Sequence, residues 1–143
     1  MSHSNINDET EIRNLTQKWF NIWSQKEKPF TGEGLEEVFA STGEMLVYDN
    51  FDGDVKIIRS VQEYIDTWVP VMQERFSYHE IQPEGEIEIQ VDDNMALSTF
   101  VWVSNSKLKD GNKVSLRQYA THVWRKISGR WCLIHEHLTL GKS

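Results

Sequence analysis

Thr121-His122-Val123-Trp124-Arg125-Lys126-Ile127-Ser128-Gly129-Arg130-Trp131-Cys132-Leu133-Ile134-His135-Glu136-His137-Leu138-Thr139 decides the fold. Two runs of alternating character flank a two-residue Ser128-Gly129 step, the pattern of a β-hairpin with a tight turn. Upstream, Ala96–Ser106 is a third such run, set off by Asp110-Gly111-Asn112. Further upstream the period becomes two from Phe76, with Ile81, Ile87, Ile89 and Val91 interleaved with polar residues up to Asp92-Asp93-Asn94. Four strands in a meander of hairpins follow, and they predict a curved antiparallel sheet with a concave side suited to a small molecule.

Successive strand side chains point to opposite faces. With Trp102 facing inward, Ser98, Phe100 and Ser104 face inward too, while Leu97, Thr99, Val101 and Val103 face outward. Gln118, Ala120, His122 and Trp124 share one face of the next strand, and Ile134, Glu136 and Leu138 oppose Leu133, His135 and His137 on the last. A bulge would shift the phase near Arg117 and Tyr119. Both faces are apolar, so both need covers. Helices supply one; a second copy of the chain, docked on the convex face, is the simplest source of the other.

The helices come first. Ile12, Leu15, Trp19, Ile22 and Trp23 recur at helical spacing after acidic residues at 8, 9 and 11, predicting a helix over Asp8 to Gln25. Leu35, Val38 and Phe39 predict a second short helix that ends before Gly43, and Met45 to Asp49 a short buried strand. Val61, Tyr64, Ile65, Trp68, Val69 and Met72 predict a third helix, capped by Ser60 and kinked or ended by Pro70. Helices first and strands last is an α+β order.

Composition limits the function. The 143 residues make one domain, with 1–7 expected as a disordered polar tail. A net charge of −7 argues against a nucleic-acid partner. The single cysteine, Cys132, permits no internal disulfide and fits a reducing cytoplasm. No run approaches the length of a membrane span and no signal-peptide core is visible.

Thr121-His122-Val123-Trp124, the Ser128-Gly129-Arg130-Trp131 turn and His135-Glu136-His137 resemble the SnoaL-like branch of the nuclear-transport-factor-two-like superfamily. That superfamily includes ketosteroid isomerases and the association domain of calcium/calmodulin-dependent protein kinase II, whose hairpin is the most similar. The resemblance covers nearly the whole chain. It implies a cystatin-like cone with three N-terminal helices packed on a curved, mostly antiparallel sheet. It also places Val47-Tyr48-Asp49 in the context of the isomerases' general base, Trp19 where their oxyanion-hole tyrosine stands and His122 where their protonated aspartate stands. An indole offers one N–H and no phenolic acid, so the family's steroid chemistry is not implied unchanged. The kinase domain has arginines at the positions of His122, Trp102 and Leu138, so its anion pocket is not implied either.

The expected catalytic set is therefore Asp49 as base, His122 as donor and Glu136, in a cavity whose ligand-binding walls are Trp19, Trp23, Tyr48, Trp68, Phe100, Trp102 and Trp124. Neither a metal nor a cofactor is expected, since His135 and His137 lack a third ligand. Three functions fit: a cofactor-free isomerase, dehydratase or cyclase acting on a small apolar or aromatic molecule; a non-catalytic binding module; and an assembly domain. Each polar residue also has a structural reading, with Asp49 as a turn former and His122 paired to Glu136.

Overall fold

The structure, a computed structural model, describes residues 2–24, 26, 28–41 and 43–141, and side chains from residue 7 onward. Seven strands form one mixed sheet: β1 (Leu46–Asp49), β2 (Lys56–Ile58), β3 (Phe76–Asp92), β4 (Met95–Leu108), β5 (Lys113–Val114), β6 (Arg117–Ile127) and β7 (Arg130–Leu140). Their order is β2-β1-β7-β6-β4-β3, with β5 paired to β4 beside the main path. The meander β3-β4-β6-β7 is antiparallel as the hairpin signals predict, and β1 joins it parallel to β7. Ser128 and Gly129 both take positive φ, at 52° and 80°, as a two-residue turn matched to strand twist requires.

Two α-helices cover the concave side, α1 (Ser2–Trp23) and α2 (Val61–Arg75). The expected third helix is a single 3-10 turn, Leu35–Glu37. Gly34 before it sits in the left-handed region at φ 99°, and Leu35, Val38 and Phe39 are buried without a helical period long enough to propagate. α1 begins at Ser2, so residues 2–7, expected as a tail, continue the helix; its expected end at Gln25 lies outside the described residues. Asp8 anchors this end, accepting hydrogen bonds from Trp131 Nε1 at 3.0 Å and Lys126 Nζ at 3.2 Å. Ser60 caps α2 by accepting from the Glu63 N–H at 3.1 Å. The helix continues through Pro70 to Arg75.

Alternation holds along β4 and β6, where Ser98, Phe100, Trp102, Ser104, Gln118, Ala120, His122 and Trp124 are all buried. β7 departs from it once. The bulge lies not at Arg117 and Tyr119 but between β6 and β7, where Val123 pairs with His135 and Trp124 with Leu133, leaving Ile134 unpaired. Trp131 and Leu133 thereby turn into the core with Glu136 and Leu138. β3 carries its own irregularity between Glu84 and Glu88, where Gly85 takes φ 78°. No described helix is long and apolar enough to cross a membrane.

Candidate functional site

β1 is where the site begins. Its burial alternates, so Val47 and Asp49 face the helices while Tyr48 faces out, with its ring against His135 and His137 at centroid distances of 5.5 and 5.6 Å. Tyr48 was expected in the pocket; strand alternation places it on the other face of the sheet. Asp49, 4% exposed, accepts at Oδ1 from the Phe51 N–H at 2.9 Å and from Gln118 Nε2 at 2.8 Å. Both readings of Asp49 thus have a physical basis: one oxygen forms the turn, and the second holds no hydrogen bond among the described residues.

A cavity of about 10 Å³ lies against Asp49, walled by Trp19 and Trp23 of α1, Phe51, Tyr64 of α2, His79 and Ile81 of β3, Trp102, Gln118 and Leu138. Such a space holds about one water molecule, so a larger occupant requires wall side chains to rotate. Of the expected residues, Asp49, Trp19, Trp23 and Trp102 line it. Trp68, Phe100, Trp124, His122 and Glu136 are buried outside its lining.

His122 and Glu136 form the expected pair at 3.0 Å between Nε2 and Oε2, both fully buried. Tyr64, which sequence reasoning missed, donates to the other Glu136 oxygen at 2.7 Å and also lines the cavity. His122 therefore connects to the cavity through two hydrogen bonds. Its ring is clamped edge-on by Trp19 at 5.1 Å and Phe100 at 5.0 Å, and its Nδ1 has no hydrogen-bond partner among the described residues.

Burial, and then the neighbouring charge of Glu136, push the Asp49 carboxyl well above the usual carboxylate range, against the two hydrogen bonds that favour its ionised form. Burial and the Glu136 and Asp49 charges likewise raise the Tyr64 phenol. His79 was also missed, because a histidine three residues into a strand gives no local signal of what it faces. Burial and the Arg75 charge lower its pKa to about 4, so its ring is neutral. Ser106 donates to Ser104 Oγ at 2.9 Å, which leaves Ser106 Oγ to accept from His79 Nδ1–H at 2.7 Å. Nε2 of His79 then carries the lone pair.

The cavity is therefore lined by a carboxyl whose pKa is raised, a neutral imidazole and the indoles of Trp19 and Trp102, whose buried N–H groups have no acceptor among the described residues. Such a set can bind an acceptor atom and exchange a proton with the molecule bearing it. Among the described residues no group of three or more His, Cys, Asp or Glu side chains is placed to hold a metal ion.

The same arrangement of helices and sheet occurs in solved structures. A nuclear transport factor 2-like superfamily protein from Salmonella enterica serovar Typhimurium superposes with a TM-score of 0.76 at 19% identity, over 94% of this chain and 92% of that one. The chain has the nuclear-transport-factor-two-like fold. An uncharacterised protein with a cystatin-like fold from Caulobacter vibrioides shares this fold at a TM-score of 0.69, with 18% identity over 94% of this chain and 91% of its own. A hexachlorocyclohexane dehydrochlorinase, LinA type 2, matches at 0.77 with 8% identity over 96% and 87%. At these identities the likeness is one of fold, and nuclear-transport-factor-two-like cones carry more than one function. No protein-family model and no curated protein matches the sequence.

Proposed function

We propose that this nuclear-transport-factor-two-like protein binds a small, largely apolar or aromatic molecule inside the cone and moves a proton on it without a cofactor, as an isomerase, dehydratase or cyclase does. The observation that carries this reading is that one cavity is lined by Asp49, one oxygen of which has no hydrogen bond among the described residues, and by Trp19 and Trp102, whose buried indole N–H groups have none either. Asp49 is the base: a raised pKa makes its carboxylate a stronger proton acceptor than an ordinary one. His122 is the donor only by way of Glu136 and Tyr64, so it acts as a positioning residue that orients the Tyr64 hydroxyl. Trp23 lines the cavity, while Phe100 and Trp68 back it through Trp19 and Phe51, and Trp124 packs on His122. The dehydrochlorinase neighbour supports the idea that a cone of this kind hosts such chemistry.

A non-catalytic binding module is the second reading, favoured by the exclusion of His122 and Glu136 from the cavity surface. In both readings the chain is a cytoplasmic homodimer joined through the outer face of the sheet. The exposed Tyr119 and the half-buried Val101, Val103 and Val123 support that contact.

Native mass spectrometry of the protein as purified, followed by denaturation, tests ligand and oligomer together. A dimer that releases a stoichiometric small molecule is expected, and Asp49→Asn should abolish turnover of that molecule while the protein stays folded. Undiminished turnover in Asp49→Asn would remove Asp49 from the chemistry.

A further inference from the structure

An outer groove of about 350 Å³ opens next to the inner cavity, and His79 lines both. The groove is walled by apolar surface from Pro29, Phe30, Met72 and Phe76, and among the described residues its only charged lining residues are Lys28 and Lys109. Both lysines are exposed, and neither forms an ion pair with a described carboxylate, unlike Lys18, Lys26, Lys56 and Lys126. A third cation stands beside them. The Arg75 guanidinium packs over the rings of Phe51 and Phe76 at 5.7 and 5.2 Å, also without an ion pair among the described residues, and its backbone oxygen accepts from the Lys109 N–H at 3.1 Å. Positive charge with no ion-pair partner among the described residues thus gathers at the mouth of a chain whose net charge is −7. Charge of one sign lining a cleft with low-dielectric walls concentrates ligands of the opposite sign.

Resting on the small-molecule reading of the cone, we infer that the ligand carries a carboxylate at one end, held at the mouth by Lys28 and Lys109, with its apolar body along Phe30, Met72 and Phe76 and its far end reaching His79 Nε2. Two ammonium groups at a rim, with the nearby guanidinium lying on aromatic rings, suit a monoanion better than a phosphate, which favours a forked donor.

The probes are phenylacetate and phenylacetamide, which share a body and differ in charge, titrated into the full chain at low salt and followed by amide and indole NMR shifts. Phenylacetate should bind about tenfold tighter than the amide, with shifts at Gln73, Ser77 and Lys109, and the preference should shrink as salt screens it. In the Lys28→Gln/Lys109→Gln variant the acid should fall to the affinity of the amide, with amide binding unchanged. Equal affinities in the parent protein, or a preference that survives in the variant, would overturn the carboxylate inference while leaving the pocket intact if the Trp19 and Trp102 indole signals still move. If neither probe moves the groove or the indoles, the carboxylate inference and the pocket reading fall together.

Discussion

Gln118 Nε2 donates a 2.8 Å hydrogen bond to Asp49 Oδ1, joining β6 to β1 across the intervening strand β7. The bond reaches over Leu138, which pairs with Asp49 on one side and Ala120 on the other. It fixes one oxygen of a buried carboxyl that lines the cavity. Gln118→Leu, which keeps the volume and removes the donor, should weaken turnover or ligand binding at least tenfold while the fold persists by circular dichroism, because a misplaced Asp49 loses its orientation.

Asp49 itself should trade stability for function. Its folded-state pKa lies above the unfolded value, so the native state binds more protons between the two and stability declines as pH rises through that window. Above the folded pKa the loss is complete and constant. Asp49→Asn removes the ionisable group and preserves the acceptor oxygen; thermal unfolding at pH 7 should show it more stable than the parent. A variant less stable than the parent would contradict the raised pKa.

His79 carries the opposite slope. With a folded pKa of about 4 against an ordinary 6.5, the unfolded chain binds the extra proton first, and stability falls as pH drops from 6.5 toward 4. The full effect is roughly 3 kcal/mol. Denaturant titrations of His79→Gln between pH 7 and 4 should show this part of the acid dependence missing. Nitrogen-15 shifts of the parent should show Nδ1 protonated and Nε2 bare.

Tyr64→Phe deletes the hydroxyl that donates to Glu136 and leaves a buried oxygen unpaired. A cost of about 1–3 kcal/mol is expected in chemical denaturation. Trp131→Phe, which removes the indole bond to Asp8 at the start of the core-facing part of α1, should cost about 1 kcal/mol and loosen the helix end in hydrogen exchange.

Val101→Glu with Tyr119→Glu places two charges on the outer face of adjacent strands β4 and β6, where these residues pair. Sedimentation should show the parent as a dimer and the variant as a folded monomer. A parent that sediments as a monomer at micromolar concentration would exclude the proposed interface.

The four meander strands, their turns and the inward parity of Phe100, Trp102, His122 and Glu136 were legible in the sequence because strand period and turn chemistry are local properties. The outward position of Tyr48 was legible too: neighbours on one strand cannot share a face, so an inward Asp49 already excluded it. The chain's order could not reveal that β1 pairs parallel to β7, which brings Asp49 within reach of the Glu136 charge, nor that Tyr64 from α2 closes the chain of hydrogen bonds to His122. These contacts join residues separated by tens of positions, and only the packing of helices on the sheet selects them. The Ile134 bulge, the collapse of Leu35–Glu37 to one turn and the role of His79 as the wall between groove and cavity belong to the same class. Local pattern set which side chains turn inward; tertiary packing decided which of them meet, and therefore which can exchange a proton.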